Sequence, residues 1–226
     1  MKFIFLHVGL DIRPYFLVQS IRKFFPSATI IQCSDLITEE VKGVDQVFRY
    51  NGDINNLMTF RLESFANLDL QTSGIYLDTD MLVVRKFETN LLKNYDGLLC
   101  RRTFGNDDLI NHNFMGMNLS EYKGKTFGEI YPFLACFTAT SSSKIWKDAA
   151  KILQSLDKKF HFWYGDQEAL RILSQSIKFK LSEVDESSFA CLPDRADEKS
   201  QPFVLHFKGQ KRKADMLEEA KKMGLV

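Results

Sequence analysis

The first half of the chain alternates between short apolar runs and amphipathic segments, and this alternation restricts the fold more than any other feature. Residues 3–8, 28–32 and 44–50 are typical of buried strands. Residues 14–25 and 57–68 instead carry apolar side chains at helical spacing. Strands separated by helices are typical of a mainly parallel sheet, so we predict an α/β fold. Ligands of such sheets bind beyond the carboxyl ends of the strands.

Two carboxylates interrupt the strand that follows the second helix. Residues 74–84 read Gly-Ile-Tyr-Leu-Asp-Thr-Asp-Met-Leu-Val-Val, an apolar run that stops at Asp78 and Asp80 and then resumes. Side chains two positions apart on a strand share a face, so the two carboxylates are expected to converge while Thr79 points away. Neighbouring anions repel each other, and a divalent metal ion removes this cost. We therefore predict a metal site here. The alternative is a surface turn, in which Asp is common.

The order of elements is less regular beyond residue 87. The predicted strands span residues 97–101, 114–118 and 204–207. The predicted helices span residues 144–156, 165–174 and 214–223, and a serine of 141–143 is the expected N-cap of the first. The polar segment 102–113 is predicted to be a mobile loop. Because no repeat, low-complexity tract or linker divides the sequence, we expect one domain over residues 1–226.

Composition excludes several classes of protein. The 226 residues are 45% hydrophobic and 26% charged, with a net charge of +1, so nucleic acid is not an expected partner. No run is long enough to span a membrane, and the N-terminal apolar run is too short for a signal peptide.

Four cysteines without a Cys-X-X-Cys pair are typical of reduced thiols in a cytoplasmic protein: Cys33, Cys100, Cys136 and Cys191. The twenty phenylalanines would fill a core or, alternatively, form a membrane-facing patch.

A second group of chemically active residues lies near the end of the sequence. His206 precedes Gly209, which leaves backbone amides accessible, and then a basic run that contains Lys211. An imidazole beside such amides and cations suits a metal ion and the phosphates that it holds. Lone histidines are more often structural. The basic run also has a simpler interpretation as a solvated helix start, which we prefer for Arg212 and Lys213.

Five short segments follow one another in a characteristic order. They are Arg61-Leu62, Tyr76-Leu77-Asp78-Thr79-Asp80, Asn113-Phe114-Met115-Gly116, Gly165-Asp166-Gln167-Glu168-Ala169-Leu170 and His206-Phe207-Lys208-Gly209-Gln210-Lys211. In this order the first four resemble the Arg-Leu helix, the Asp-X-Asp metal motif, the sugar-binding Asn segment and the Asp-Gln helix start of glycosyltransferase families 8 and 32. The fifth resembles the His-X-X-Gly-X-X-Lys type ending of family 8. The resemblance covers most of the chain and implies the GT-A nucleotide-diphospho-sugar transferase fold.

The resemblance also implies roles for individual residues. The implied metal ligands are Asp78, Asp80 and His206, and their mixed oxygen and imidazole set favours Mn²⁺ over Mg²⁺. The implied contacts to the donor and its phosphates are His7, Gly9, Arg61, Gly209 and Lys211. The implied sugar-pocket residues are Asn113, Asp166 and Gln167, of which the last two are also the implied catalytic residues. Simpler interpretations stay open for three positions, with Arg61 a solvated helix residue, Asp166 a helix cap and Asn113 a turn residue.

The chain departs from family 8 at two places. Members of that family carry an acidic residue directly after the first strand, where the nucleotide base binds, whereas this chain has His7-Val8-Gly9-Leu10 and only then Asp11. The family's Lys-Pro-Trp ending is replaced by Lys211-Arg212-Lys213. The nucleotide base and the exact family therefore stay open.

The implied activity is transfer of a sugar from a nucleotide-diphosphate donor, expected to be a UDP-sugar, to a glycan or lipid-linked acceptor, as in bacterial polysaccharide biosynthesis. Retention of anomeric configuration is expected, because Asp166 at a helix N-terminus should have a low pKa and make a poor base, while Gln167 cannot act as one. The basic segment 208–213 would permit peripheral contact with the inner face of a membrane. The alternatives are a metal-dependent nucleotidyltransferase or phosphohydrolase, and a non-catalytic sugar-nucleotide-binding protein.

Overall fold

The structure is a computed structural model that describes residues 1–88, 90–110, 113–114, 117–197 and 201–226. Its strands are β1 (Lys2–Leu6), β2 (Thr29–Ser34), β3 (Gln46–Arg49), β4 (Gly74–Leu77), β5 (Met81–Val83), β6 (Gly97–Arg101), β7 (Asn113–Phe114), β8 (Met117–Asn118), β9 (Phe133–Thr140), β10 (Leu181–Asp185) and β11 (Val204–His206). Its helices are α1 (Arg13–Phe24), α2 (Leu57–Asn67), α3 (Phe127–Ile130), α4 (Lys144–Ser155), α5 (Lys159–Phe162), α6 (Gly165–Ser174), α7 (Glu186–Phe189) and α8 (Gln210–Lys222).

Seven strands form the central sheet, in the order β10-β6-β9-β4-β1-β2-β3. The pairs β1–β2, β1–β4, β2–β3 and β6–β10 are parallel, whereas β9 runs antiparallel to both β4 and β6. The predicted α/β fold with a mainly parallel sheet is confirmed. The sequence prediction does not include β9, although all eight of its residues are buried. A strand that is covered on both faces lacks the polar alternation by which a strand is recognised in a sequence.

Two short strand pairs lie outside the central sheet. β5 pairs antiparallel with β11, and their register places His206 opposite Met81. β7 pairs antiparallel with β8, so that Asn113 lies opposite Asn118. The prediction of one continuous strand over 114–118 is therefore wrong. Two short strands that pair with each other have the same composition as one longer strand, and the sequence pattern does not distinguish them.

Aromatic side chains fill the layers between the sheet and the helices on its two faces. Phe65, Tyr76 and Trp146 pack together on one face, with the Tyr76 ring centroid 4.8 Å from each of the other two. Phe25 and Phe87 pack on the opposite face with centroids 4.8 Å apart. Phe162 is the one strongly exposed phenylalanine among those whose side chains are described. The interpretation of the phenylalanines as core residues is therefore confirmed.

Two further expectations concern thiols and membrane spans. All four cysteines are free and buried, as expected for reduced thiols. Within the described residues, no helix combines the length and the apolar character that crossing a bilayer requires.

The Ser143 hydroxyl fixes the end of α2, the helix that carries Arg61. Ser143 occupies the N-cap position of α4, as expected, but its side chain does not cap that helix. Its hydroxyl donates to the Phe65 carbonyl oxygen at 3.0 Å and accepts from the Leu70 N–H at 2.9 Å. Both backbone groups depend on this buried hydroxyl, which ties the start of α4 to the segment that leads into β4.

Replacing Ser143 by alanine is expected to lower the free energy of unfolding by about 1–3 kcal/mol, because it removes the side-chain partner of buried backbone groups. The matched control is Ser142→Ala. The Ser142 hydroxyl accepts one long bond, 3.4 Å from the Lys144 nitrogen, and its loss should cost less than about 0.5 kcal/mol. Urea unfolding of both variants measures the difference. Equal destabilisation would contradict the assignment of Ser143 as the tie.

Candidate active site

Asp78 and Asp80 lie in the turn between β4 and β5, beyond the carboxyl end of a central strand. The Asp78 N–H donates to the Cys136 carbonyl oxygen at 3.0 Å, and the Asp80 carbonyl oxygen accepts from the Phe207 N–H at 2.8 Å. The extended geometry predicted for residues 78–80 is wrong, because the chain leaves the central sheet after Leu77 to pair with β11. The expected convergence of the carboxylates is produced by this turn.

His206 reaches the two carboxylates through the pairing of β5 with β11. Its Nε2 lies 3.4 Å from Asp80 Oδ1, and one ligand atom from each of Asp78, Asp80 and His206 lies within 4.8 Å of the other two. Ligands bound to one ion at about 2.0–2.6 Å are at most about 5 Å apart, so this spacing fits a single divalent cation. His206 Nδ1 is buried and has no hydrogen-bond partner among the described residues. The group can therefore hold a metal ion.

Asp80 is buried between two cationic groups. Lys213 Nζ lies 3.2 Å from Asp80 Oδ2, on the side opposite His206 Nε2, which approaches Oδ1. Burial opposes ionisation of Asp80, but His206 and Lys213 outweigh it and hold the pKa of Asp80 well below its usual range. Burial lowers the pKa of His206, but the neighbouring Cys136 and Asp80 raise it by more. The pKa of His206 therefore lies well above its usual value.

The position of Lys213 corrects the interpretation of the basic run. α8 begins at Gln210, four residues earlier than predicted, so Lys213 belongs to its first turn and contacts Asp80. The interpretation of Lys213 as a solvated residue is wrong. Arg212 instead forms a surface ion pair with Asp194, as expected of a solvated helix start.

Arg61 is a buried cation that joins the predicted metal site to the predicted sugar pocket. Its Nη2 lies 2.6 Å from Asp78 Oδ1, and its Nη1 lies 3.1 Å from Asp166 Oδ2. Nη2 also donates to the Ala135 carbonyl oxygen at 2.8 Å. Only 8% of Arg61 is exposed, so its interpretation as a solvated helix residue is wrong. One guanidinium shared by two carboxylates leaves this part of the site with excess negative charge.

Asp166 lies in the first turn of α6, as predicted, and is buried there. Its Oδ1 accepts from the Gln167 N–H at 2.7 Å, and its Oδ2 pairs with Arg61. The expectation of a low pKa is wrong. Burial and the nearby Asp78 carboxylate raise the pKa of Asp166 by more than Arg61 and the backbone N–H groups lower it. Loss of hydration outweighs the helix terminus at this position.

Gln167 contacts a residue that the sequence prediction assigns to a mobile loop. Arg102 is buried, and its Nη2 donates to Gln167 Oε1 at 2.8 Å. Arg102 follows the carboxyl end of β6 directly, just as Asp78 follows β4. That position after an apolar strand is the signal by which Arg102 could have been identified. The described residues between 102 and 110 form an irregular segment that includes a bridge from Leu109 to Thr126.

The other predicted donor contacts lie at the same edge of the molecule but do not join the carboxylate cluster. His7 and Gly9 follow β1, which pairs in parallel with β4. The Gly9 N–H donates to Thr38 Oγ1 at 2.7 Å, with a Gly9 φ of +85°. Gly209 precedes α8, also with a φ of +85°, and Lys211 is exposed in the first turn of that helix. The side chain of Asn113 lies outside the described part of the structure, so its sugar contact stays a prediction.

Asp166→Asn and Asp80→Asn are expected to change the pH dependence of stability in opposite directions. The folded pKa of Asp166 lies above its unfolded value, so its contribution is present below the unfolded pKa and is lost as the pH rises through the folded pKa. The folded pKa of Asp80 lies below its unfolded value, so its contribution is present above the unfolded pKa and is lost as the pH falls.

Relative to the wild type, Asp166→Asn should therefore gain stability between about pH 3 and about pH 7, whereas Asp80→Asn should lose it. Urea unfolding of the three proteins in chelator, repeated across this range, measures both differences. Two variants with parallel pH profiles would contradict the assigned shifts.

Comparison with known proteins defines the fold. No protein-family model matches the chain, and no curated protein matches it. The galactosyltransferase LgtC, crystallised with donor and acceptor sugar analogues, has a TM-score of 0.61 at 15% identity, with 100% of both chains covered. An active-site variant of LgtC, with glutamate in place of a glutamine, gives a TM-score of 0.59 at 15% identity over 100% of both chains.

The glycosyltransferase GlyE from Streptococcus pneumoniae is similar to the same degree. It has a TM-score of 0.61 at 15% identity and covers 99% of this chain, which spans 64% of the GlyE chain. Likeness at this level of identity establishes the fold. The predicted GT-A fold is therefore confirmed, and the chain has the architecture of these glycosyltransferases.

Proposed function

We propose that this protein is a metal-dependent glycosyltransferase that moves a sugar from a nucleotide-diphosphate donor to a glycan or lipid-linked acceptor. The observation that carries the proposal is the convergence of Asp78, Asp80 and His206, with ligand atoms within 4.8 Å of one another at the carboxyl edge of a GT-A sheet. LgtC, which has the same fold and was crystallised with donor and acceptor sugar analogues, supports a site for a sugar donor and an acceptor in this protein.

Asp78, Asp80 and His206 would hold the metal ion, and their mixed donor atoms favour Mn²⁺ over Mg²⁺. When bound, such an ion supplies Lewis-acid stabilisation of the negative charge that develops on a leaving diphosphate. The chain's own groups for that diphosphate are the backbone N–H groups at the start of α8, behind Gly209, and the exposed Lys211. A helix N-terminus and a fixed cation both stabilise developing phosphate charge.

UDP is the donor nucleotide that we propose. Support comes from the resemblance to family 8 and from the similar fold of LgtC, which is a galactosyltransferase. Asp11, the first carboxylate after β1, accepts hydrogen bonds from the Arg13 side chain, including one of 2.9 Å from Nε. The Asp11 carboxylate is therefore already paired with Arg13. The nucleotide base of the donor would be recognised through other groups in the loops that follow β1 and β2.

Retention of anomeric configuration fits the contacts of Asp166. Its raised pKa would favour a role as a base, but Oδ1 is held by the Gln167 N–H and Oδ2 by Arg61. A carboxylate with both oxygens engaged is poorly placed to accept the proton of an acceptor hydroxyl. The leaving diphosphate would instead help to accept this proton, with Gln167 beside the anomeric carbon.

A cytoplasmic location with peripheral contact at the inner face of a membrane is part of the proposal for a lipid-linked acceptor. Lys208 and Lys211 are exposed beside the proposed donor site and could face anionic lipid. Arg212 and Lys213 are paired with Asp194 and Asp80, so fewer cations are free for this contact than the sequence implies.

UDP is expected to stabilise the protein only when Mn²⁺ is present, because the paired carboxylates of Asp78 and Asp80 would otherwise repel the diphosphate. At saturating UDP the melting temperature should rise by on the order of 5–10 °C, and excess chelator should abolish the rise. In Asp80→Asn and His206→Ala, the rise in melting temperature that depends on Mn²⁺ should be lost. The control Asp69→Asn, which removes an exposed carboxylate paired with Lys147, should keep it.

Equal stabilisation by UDP in excess chelator would contradict a metal-bridged diphosphate. A larger rise in melting temperature with guanosine diphosphate than with UDP would show that the donor carries guanine and not uracil. Thermal-shift measurements need no acceptor and separate these outcomes directly.

The product made from an α-linked UDP-sugar is expected to be α-linked. Proton NMR of the purified product reports the configuration through the coupling constant of its anomeric proton. A β-linked product would contradict retention and return Asp166 to a role as base. Release of diphosphate from a sugar 1-phosphate and a nucleoside triphosphate would instead identify a nucleotidyltransferase.

A further inference from the structure

Arg102 is a buried cation whose side chain contacts neutral groups. Only 6% of the residue is exposed. Its Nε donates to the Tyr131 carbonyl oxygen at 2.9 Å, and its Nη2 donates to Gln167 Oε1 at 2.8 Å. The guanidinium carbon lies 5.4 Å from the centroid of the Phe127 ring, and the Arg102 N–H donates to the Pro132 carbonyl oxygen at 2.7 Å. Within the described residues it forms no ion pair with a carboxylate.

These contacts fix both ends of the Arg102 side chain. The backbone is bonded to Pro132, and the planar guanidinium is bonded on two of its nitrogens and packed against an aromatic ring. A guanidinium held in this way has little rotational freedom, so the position of its Nη2 is set before any substrate binds. Burying a cation without a carboxylate partner is costly, and a structural role alone would be served by an apolar side chain.

The contact with Arg102 decides which atom of the Gln167 amide faces the site. Arginine has only donors, so the amide atom directed at it must be the oxygen. The Gln167 Nε2 and its two N–H groups are therefore directed away from Arg102. Gln167 follows Asp166, whose carboxylate meets Arg61 and hence Asp78, so this amide belongs to the proposed sugar pocket.

We propose that Arg102 is a positioning residue that orients the Gln167 amide so that Gln167 offers N–H donors, and not its carbonyl oxygen, to the reacting sugar. This inference rests on the proposed glycosyltransferase function. An N–H donor in this position stabilises the phosphate oxygen that gains negative charge as its bond to the anomeric carbon breaks. A nucleophilic or basic role for Oε1 is disfavoured, because Arg102 withdraws electron density from that oxygen.

The first test is a double-mutant cycle between Arg102→Lys and Gln167→Ala, assayed for sugar transfer from UDP-sugar with Mn²⁺. Loss of one preoriented donor lowers kcat by roughly 10²–10³-fold, so Gln167→Ala should fall in this range. Arg102→Lys keeps the charge but not the planar fork, and should lower kcat by about 10–100-fold with donor KM changed less than about 3-fold. In the Gln167→Ala background the same change should cost less than about 3-fold.

Arg101→Lys is the matched control, because Arg101 is exposed and pairs with Glu183 at the surface. It should leave kcat within about 2-fold of the wild type. Gln167→Glu completes the set, since a carboxylate keeps the contact with Arg102 but has no N–H to donate. It should be as impaired as Gln167→Ala.

Three outcomes would overturn the proposal. Arg102→Lys could cost the same factor in both backgrounds, which would show that it acts independently of Gln167. Gln167→Ala could be fully active, which would remove Gln167 from the reaction. Gln167→Glu could keep substantial activity, which would show that the side-chain oxygen, and not the N–H group, acts on the substrate. Melting temperatures of all variants, measured in parallel, confirm that each is folded at the assay temperature.

A second measurement needs no activity and separates this proposal from the proposed function. In ¹⁵N–¹H spectra the side-chain NH₂ signals of Gln167 are identified by their absence in Gln167→Ala. They should shift in Arg102→Lys and stay unchanged in Arg101→Lys. Unchanged signals in Arg102→Lys would overturn the orienting role. A wild-type protein without sugar transfer, but with the expected shifts, would instead contradict the glycosyltransferase function and leave the amide contact established.

Discussion

The ion pairs of Arg61 are the interaction on which the rest of the site depends. Asp78 follows strand β4 of the central sheet, and Asp166 lies in the first turn of helix α6. Two carboxylates held this close would repel each other unless a cation lay between them. The guanidinium lies between them, 2.6 Å from one and 3.1 Å from the other, inside the protein. Without the Arg61 guanidinium, the buried Asp166 carboxylate would lose its partner and face the half-buried Asp78, which is costly. The ion pairs therefore hold α2, β4 and α6 in place relative to one another.

The metal ligands depend in turn on strand register. His206 meets Asp80 because β11 pairs with β5, with His206 opposite Met81. A slip of one residue in this pairing would turn the imidazole to the other face of the strand and place Leu205 or Phe207 beside the carboxylates. Val204 and Val83 are buried opposite each other, and both would lose their packing in the slipped register. The hydrophobic core therefore determines the geometry of the polar site.

The sequence predicts the elements whose signals are local. Helices α1, α2, α4 and α6 are within a residue or two of their predicted bounds, and Asp78, Asp80 and His206 are brought together as the resemblance implies. The features absent from the prediction depend on partners distant in sequence. β9 has no alternation because both of its faces are buried, and the pKa of Asp166 reflects burial among charges from other elements. Lys213 and Arg102 have ordinary neighbours in sequence, and only the fold places them against Asp80 and Gln167.

The charges of the site form one coupled system. Asp80 is neutralised on one side by His206 and on the other by Lys213, so a divalent cation that binds Asp80 competes with both for the same carboxylate. Lys213 lies in the first turn of α8, which also contains Lys211 and begins directly after Gly209. Cation binding at Asp80 would therefore release a lysine beside the proposed diphosphate site. The released lysine ammonium would attract the negative phosphates of a donor and raise its affinity. Binding of the cation and binding of the donor would then be coupled without any movement of the sheet.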